Sequence, residues 1–410
     1  MSEAYQPQDE MSLWWFGEAQ PRRVGTILLA GGNRKVALEY DPEWIKNGFA
    51  LSEDLPLASG LYTPKENDSA AGALEDARPD RWGERVIRQI YRPARLSILE
   101  YLYFAGDDRF GALGVSLRPD AYEPSGGGAI SSFDSLPEME QAIAKILAGE
   151  KLNEEMTRLV RPGPSFGGAR PKSLIRNGQQ QWVVKFSEGE DIDTELIEHA
   201  TMKLGAGCGI ESAQTNALPL SKGHAVAIAR FDREGGARQH VITAFTALRA
   251  AGQVEGYPEL AQLLRRIGHP DQFRQDQEQL FRRMVFNILI DNTDDHHKNH
   301  AVIRGQDGYY RLSPAYDIVP SVQGLGYQQM RVGKHDSQAS LANALSEVAA
   351  FGLKRDQAIG IVKEVCKCVA GWKEHFAQHG VTARDIELLA QYIDGRSLLE
   401  QRNEYLTAVR

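Results

Sequence analysis

Residues 287–303 read NILIDNTDDHHKNHAVI. An apolar run ends at Ile290, another opens at Ala301, and almost everything between them is polar or charged. Upstream, Phe281, Met284, Val285, Ile288 and Leu289 recur at helical spacing, which predicts an apolar helix face leading into the cluster. The AVI run predicts a strand leading out of it. Polar residues concentrated where two buried elements meet mark a site or a solvated turn.

Within the cluster Asp294 precedes Asn299 by five positions. That is the spacing of the aspartate and asparagine in the catalytic loop of phosphoryl-transfer enzymes, where the aspartate takes the proton of the attacking hydroxyl and the asparagine holds magnesium. Further on, YYRLSPAYDIVP (309–320) predicts a second strand and a return turn that deliver Asp317 as a second metal-binding carboxylate. Hard Mg²⁺ takes few protein oxygens plus water and phosphate, so one carboxylate and one amide carbonyl suffice. Two other readings stay open. His296, His297 and His300 with Asp294 or Asp295 could hold a transition metal for hydrolysis, although the cluster does not follow an HExxH-type helix. A polar helix cap with incidental histidines would explain the composition alone.

The upstream sequence adds ordered partners. SFGGARPK (165–172) sets two glycines in a loop ending at Lys172, and glycine lets backbone N–H groups approach anionic oxygens. It lacks the Gly-Lys-Ser/Thr of a Walker A loop. In WVVKF (182–186) strand alternation turns Lys185 opposite to Val184 and Phe186. A strand lysine after a Gly-rich loop, tethered by a helical glutamate, is how protein kinases grip the α and β phosphates. Glu195 and Glu198 lie on the following helix, which Asp193 or Thr194 can cap. The alternative places Lys185 on the solvent face of an edge strand.

At 410 residues the chain exceeds one core, and two or three subdomains are expected. The boundaries read as 1–120 for a small β-containing module, 121–136 for a linker, 137–250 for a mixed part with the Gly-rich loop, and 251–410 for a mainly helical lobe. VGTILLAGG and KVALEYDPEWI predict a hairpin turning at Gly31 and Gly32, and YEPSGGGAISS (122–132) interrupts all periodicity. A net charge of -8 argues against global binding of nucleic acid. The acidic first residues and the lack of a long apolar run point to a cytoplasmic protein without a membrane span. Cys208, Cys366 and Cys368 make no even disulfide framework and read as ordinary thiols.

SFGGARPK, VVKF, EHATMKLGAGCGI, ARFDR, TDDHHKN and AYDI, in that order, resemble the HipA family of serine/threonine kinases, the toxin half of bacterial toxin–antitoxin pairs. VGTI, the Asp-Pro-Glu-Trp at 41–44 and DDRFGALGV resemble the family's N-terminal module. The resemblance implies an α+β, protein-kinase-like two-lobed fold with a β-rich N-terminal module and a largely helical C-terminal lobe. It also implies that Gly167, Gly168, Ala169, Arg170, Pro171 and Lys172 cover the ATP phosphates, that Lys185 pairs with them, and that Glu198 tethers Lys185. The backbone of Ala229, Arg230 and Phe231 would hold adenine. Asp294 would be catalytic, His296, His297, Lys298, Asn299 and Tyr316 would line the nucleotide, and Asn299 and Asp317 would ligate Mg²⁺. Ser165 corresponds to an autophosphorylated serine that shuts the enzyme down.

As partners the resemblance implies a protein substrate of the aminoacyl-tRNA synthetase class and a helix-turn-helix antitoxin, with DNA reached only through the antitoxin. A co-repressor role or a small-molecule kinase of similar architecture are the alternatives. Ala229 stands where better-known members have glutamate, Arg170 replaces a frequent glutamine, and Asp295 has no role in the pattern.

Overall fold

A computed structural model describes residues 5–126, 128–163, 169–235 and 237–407. The chain divides into two compact units, one made of Met1–Glu188 with Arg230–Ile242 and the other of Gly189–Ala229 with Thr243–Arg410.

In the first unit the strands Leu61–Tyr62, Lys35–Tyr40, Arg22–Ala30, Glu10–Trp15 and Leu113–Ser116 form a sheet in that order, with Ser69–Ala70 parallel to Lys35–Tyr40. The expected hairpin pairs Gly25 with Tyr40 and Ala30 with Lys35. Its turn places Gly31, Gly32 and Asn33 at φ 58°, 67° and 68°. Glycine and asparagine tolerate this left-handed region where other side chains collide with the backbone. Gly25 is required for a different reason, since a Cβ there would lie 2.1 Å from the Glu39 carbonyl oxygen. Trp14, Trp15 and Trp44 fill the core against this sheet.

The DDRFG segment of this module is pinned by ARFDR. The Arg230 guanidinium donates to the carbonyls of Asp108 and Arg109, both at 2.9 Å, and to the Asp232 carboxylate. Asp232 also accepts from the Gly111 N–H at 2.8 Å and from Arg233 at 2.7 Å. Arg230 and Asp232 are fully buried at the side chain. Burial pushes the Asp232 carboxyl up, but Arg230 and Arg233 outweigh it and hold it at about 2. A buried charge is tolerated when its partners and hydrogen bonds are complete, as they are here.

A second hairpin of this unit, Lys172–Asn177 with Gln180–Lys185, sets Lys172 directly opposite Lys185. Its edge is extended by Ser131, whose carbonyl accepts from Arg176 N–H at 2.8 Å.

In the second unit the helix Thr194–Gly207 starts at Asp193, whose side chain caps the Leu196 N–H. The hairpin Thr215–Pro219 with His224–Ala229 follows. The helix Phe273–Leu289 ends at the polar cluster. All five residues of the anticipated apolar face are buried, and so are Arg282, Arg283, Phe286 and Asn287, which makes the last two turns buried on every side. Polar side chains survive there because the backbone ends of other segments receive them. Arg283 donates to the Ser313 carbonyl at 2.6 Å, and Arg282 to the Cys208 carbonyl at 3.1 Å. Gly205 lets Phe286 approach the first helix, at 3.4 Å from where a Cβ would sit.

The cysteines depart from expectation. Cys208 and Cys368 form a disulfide with Cα atoms 5.6 Å apart, joining the end of Thr194–Gly207 to the helix Arg355–Val369. Cys366 remains a buried thiol. Two positions along a helix turn a side chain by roughly 200°, so only one member of Cys-x-Cys can face the partner. No spacing rule reveals a pair 160 residues apart.

Two measurements test these features. Asp232→Asn leaves two buried guanidinium groups short of a counter-charge and should cost about 3–5 kcal/mol in denaturant titration. Because the folded carboxyl lies at about 2, below its ordinary 3.8, its stabilisation is present above about pH 4 and is lost as pH falls through about 2. An acid-unfolding midpoint unchanged by the substitution would contradict this. For the cysteines, alkylation of the denatured, unreduced protein should label Cys366 alone, and prior reduction should expose Cys208 and Cys368. Full labelling without reductant would show that the bridge does not form.

Candidate active site

The second unit holds the polar cluster. Past the helix end, Asp291 adopts φ 56° and its carboxylate accepts the Gly324 N–H at 3.1 Å. The Ser321 hydroxyl then accepts the N–H groups of Thr293 and Asp294 at 2.8 and 3.0 Å. This clamp fixes the backbone of Asp294, whose residue is exposed while its neighbours Thr293 and Asp295 are buried.

Asp295 has a role that the sequence did not supply. Its carboxylate accepts the Tyr257 hydroxyl and faces His300 Nε2 at 3.0 Å, entirely inside the unit. A buried carboxylate with two donors braces the loop from below and leaves Asp294 as the solvent-facing member of the pair.

His297 and His300 go to separate partners, while His296 Nδ1 is buried without a hydrogen-bond partner among the described residues. His297 Nδ1 lies 2.8 Å from Glu255, and its ring stacks on Phe245 at 4.7 Å. Burial, followed by the nearby His296 and Lys298, lowers the His297 pKa to about 4, so the ring is neutral at pH 7. Lys298 sits over the Phe245 ring at 4.9 Å, and its carbonyl accepts the Tyr316 hydroxyl at 2.8 Å. Among the described residues no three His, Cys, Asp or Glu side chains gather into a metal cluster.

Asn299 carries an oxygen suited to a cation. Its residue is 5% exposed, and its Oδ1 is buried without a hydrogen-bond partner among the described residues. A buried amide oxygen with nothing to accept costs about 1–3 kcal/mol, so an external partner is called for. An oxygen of this kind suits a hard cation such as Mg²⁺. Asp317 follows the strand Tyr310–Leu312 and holds φ 58°, a left-handed backbone that non-glycine residues rarely adopt outside turns and sites. Glu198 is buried on Thr194–Gly207 at 2% exposure.

The first unit carries the lysines. Opposed residues of an antiparallel pair leave the same face, so Lys172 and Lys185 share one. Both are buried, at 0% and 1% exposure, which excludes the solvent-facing alternative for Lys185. Lys172 Nζ bonds the Asp80 carboxylate, and Trp82 Nε1 donates to the Lys172 carbonyl at 2.8 Å. Ala169 is exposed and Pro171 buried at the end of the Gly-rich segment, and Arg170 is intermediate. Ser165, Gly167 and Gly168 lie outside the described residues. The side chain of Arg230 is committed to Asp232, and Phe231 packs edge-on to Phe110 at 5.9 Å.

Sequence reasoning missed Ser321, Tyr257 and Glu255 as supports. Their distance along the chain from the residues they hold leaves no local signal.

The HipA-like C-terminal domain profile matches residues 164–372, and the HipA N-terminal domain profile matches residues 18–116. The chain is similar to a Sinorhizobium fredii protein named "Putative kinase Y4mE", 23% identical over 423 residues, with 95% of this chain and 98% of that protein covered. A Haemophilus influenzae protein with the same kinase designation is 26% identical over 182 residues, which is 38% of this chain and 52% of its own length. Among solved structures, a chain of the Shewanella oneidensis MR-1 complex of HipA, HipB and operator DNA matches with a TM-score of 0.68 at 18% identity, covering 97% of each chain. At that identity the likeness is one of fold, and it identifies the two-unit α+β architecture as HipA-like. The C-terminal profile alone covers half of the 410 residues, and the chain belongs to the HipA family.

Proposed function

We propose that the chain is a kinase that transfers the γ-phosphoryl group of Mg-ATP to a serine or threonine hydroxyl of another protein. The observation that carries this reading is the buried, unpartnered Oδ1 of Asn299, five residues beyond an exposed Asp294 whose backbone is clamped by Ser321. Asp294 receives the proton of the attacking hydroxyl. Asn299 and Asp317 hold the metal, and Mg²⁺ when bound supplies neutralisation of charge on the phosphate oxygens. Lys185, tethered by Glu198, and the Gly167 to Lys172 segment grip the phosphates, while the backbone of Ala229 to Phe231 receives adenine. His296, His297, Lys298 and Tyr316 line the nucleotide, and the low pKa of His297 keeps one positive charge away from that lining.

The biological reading is a toxin of a toxin–antitoxin pair, acting on a protein of the aminoacyl-tRNA synthetase class and silenced by phosphorylation of Ser165. The solved HipA chain sits in a complex with HipB and operator DNA. That supports a helix-turn-helix antitoxin as partner here, with DNA engaged through it. No helix among the described residues is long and apolar enough to cross a membrane; the proposed site of action is the cytoplasm.

Incubation of the full chain with Mg-ATP, followed by mass spectrometry, tests the chemistry. Phosphate should appear on Ser165, and Asp294→Ala should lower phosphotransfer by at least about 100-fold, the usual worth of a positioned general base, while its melting temperature stays unchanged. An undiminished rate in the variant sinks the assignment of Asp294. ATP consumption that needs a metabolite and no protein acceptor would redirect the reading to a small-molecule kinase.

A further inference from the structure

Pro124, Ser125 and Gly126 with Gly128, Ala129 and Ile130, from the stretch that interrupts all periodicity in the sequence, form one wall of a cavity of about 630 Å³ inside the first unit. Gly126 and Gly128 adopt φ 74° and 124° there. Tyr91 and Phe104, with ring centroids 4.8 Å apart, give another wall, continued by Ile130, Val160 and Pro162.

The remaining lining is dominated by Arg158, Arg161, Arg176, Arg233 and Arg238, against the carboxylates of Asp107 and Asp108. The two carboxylates are committed. Asp108 meets Arg161 at 3.1 Å, and Asp107 meets Arg238 at 2.9 Å. Arg161 is further fixed by the carbonyls of Gly128 and Ala129 at 3.0 and 2.9 Å. Arg233 is neutralised by Asp232. Arg158 and Arg176, both exposed, have no carboxylate partner among the described residues. Arg238 Nη1 is buried without an acceptor. The cavity therefore carries surplus positive charge, unused donors and an aromatic wall.

We propose that this cavity binds a phosphorylated small molecule of nucleotide size, with its phosphate on Arg158, Arg176 and the free Nη1 of Arg238 and its apolar body against Tyr91 and Phe104. The volume falls within the roughly 300–1,000 Å³ of small-molecule sites. Guanidinium groups suit phosphate because their planar forks donate in pairs. All lining residues belong to one unit, and none is among the residues proposed for phosphotransfer, so the inference stands independently of that reading.

Titration calorimetry of the full chain with inorganic pyrophosphate, in the absence of magnesium, tests it. Arg158→Ser combined with Arg176→Ser removes two exposed side chains and should weaken binding at least tenfold, with an unchanged melting temperature. Tyr91→Ala should leave pyrophosphate binding unchanged and weaken AMP binding, since only AMP has a body to stack. Asp317→Asn should leave pyrophosphate binding unaltered. Equal affinity in the double arginine variant and the unaltered chain would overturn the proposal. So would loss of binding in Asp317→Asn alone, or no detectable heat up to about 10 mM, beyond the weakest specific affinities.

Discussion

The Asp232 carboxylate, buried between Arg230 and Arg233 and capped by the Gly111 N–H, is the constraint on which the first unit rests. Its partners place the Asp108–Gly111 turn, and that turn sets almost everything else at this end of the unit. Asp107 and Asp108 reach Arg238 and Arg161 from it, and Arg161 in turn holds the glycine-rich wall through two carbonyls. A charge with incomplete partners in this position would be costly, so the network tolerates little variation. This gives a physical reason for the ARFDR and DDRFG motifs beyond any contact of their backbone with nucleotide.

The polar cluster of the second unit follows a related rule. One carboxylate, Asp295, is consumed as an internal brace between Tyr257 and His300, and the adjacent one is left outward. Ser321 fixes the backbone between helix and loop from a segment 27 residues downstream. Preorganisation of this kind matters for phosphoryl transfer, where positioning and electrostatics supply most of the catalysis. The unmet acceptor of Asn299 is one of several points in this cluster where the described residues leave a buried polar atom unsatisfied.

Local chemistry was legible in the sequence. The glycine and asparagine turn at 31–33, the cap at Asp193, the alternation around Lys185 and the apolar helix before the cluster all follow from propensities acting over a few residues. The Asp-x4-Asn spacing was legible too, because one loop carries both residues. What escaped depends on tertiary packing. The bond between Cys208 and Cys368 spans 160 positions, Lys172 finds Asp80 across 92, and the brace of Asp295 comes from Tyr257, 38 positions earlier. The stretch at 121–136 reads as a linker because glycine and proline break periodicity, and Pro124, Ser125, Gly126, Gly128, Ala129 and Ile130 within it line a concave wall. Composition does not distinguish the two.

The first unit is not contiguous: it closes with Arg230–Ile242, after the chain has already contributed Gly189–Ala229 to the second. The Gly111 N–H and its acceptor Asp232 stand 121 residues apart. During synthesis at roughly 5–20 residues per second, the N-terminal module emerges from the ribosome several seconds before the group that locks it. Over that interval the nascent module carries the unpinned Asp108–Gly111 turn, with the Arg109 carbonyl still lacking its donors Arg230 and Arg233. A truncated chain ending near residue 190 would therefore lack the keystone of its own domain, and a nascent one would depend on translation continuing through Arg233 before its first unit is complete.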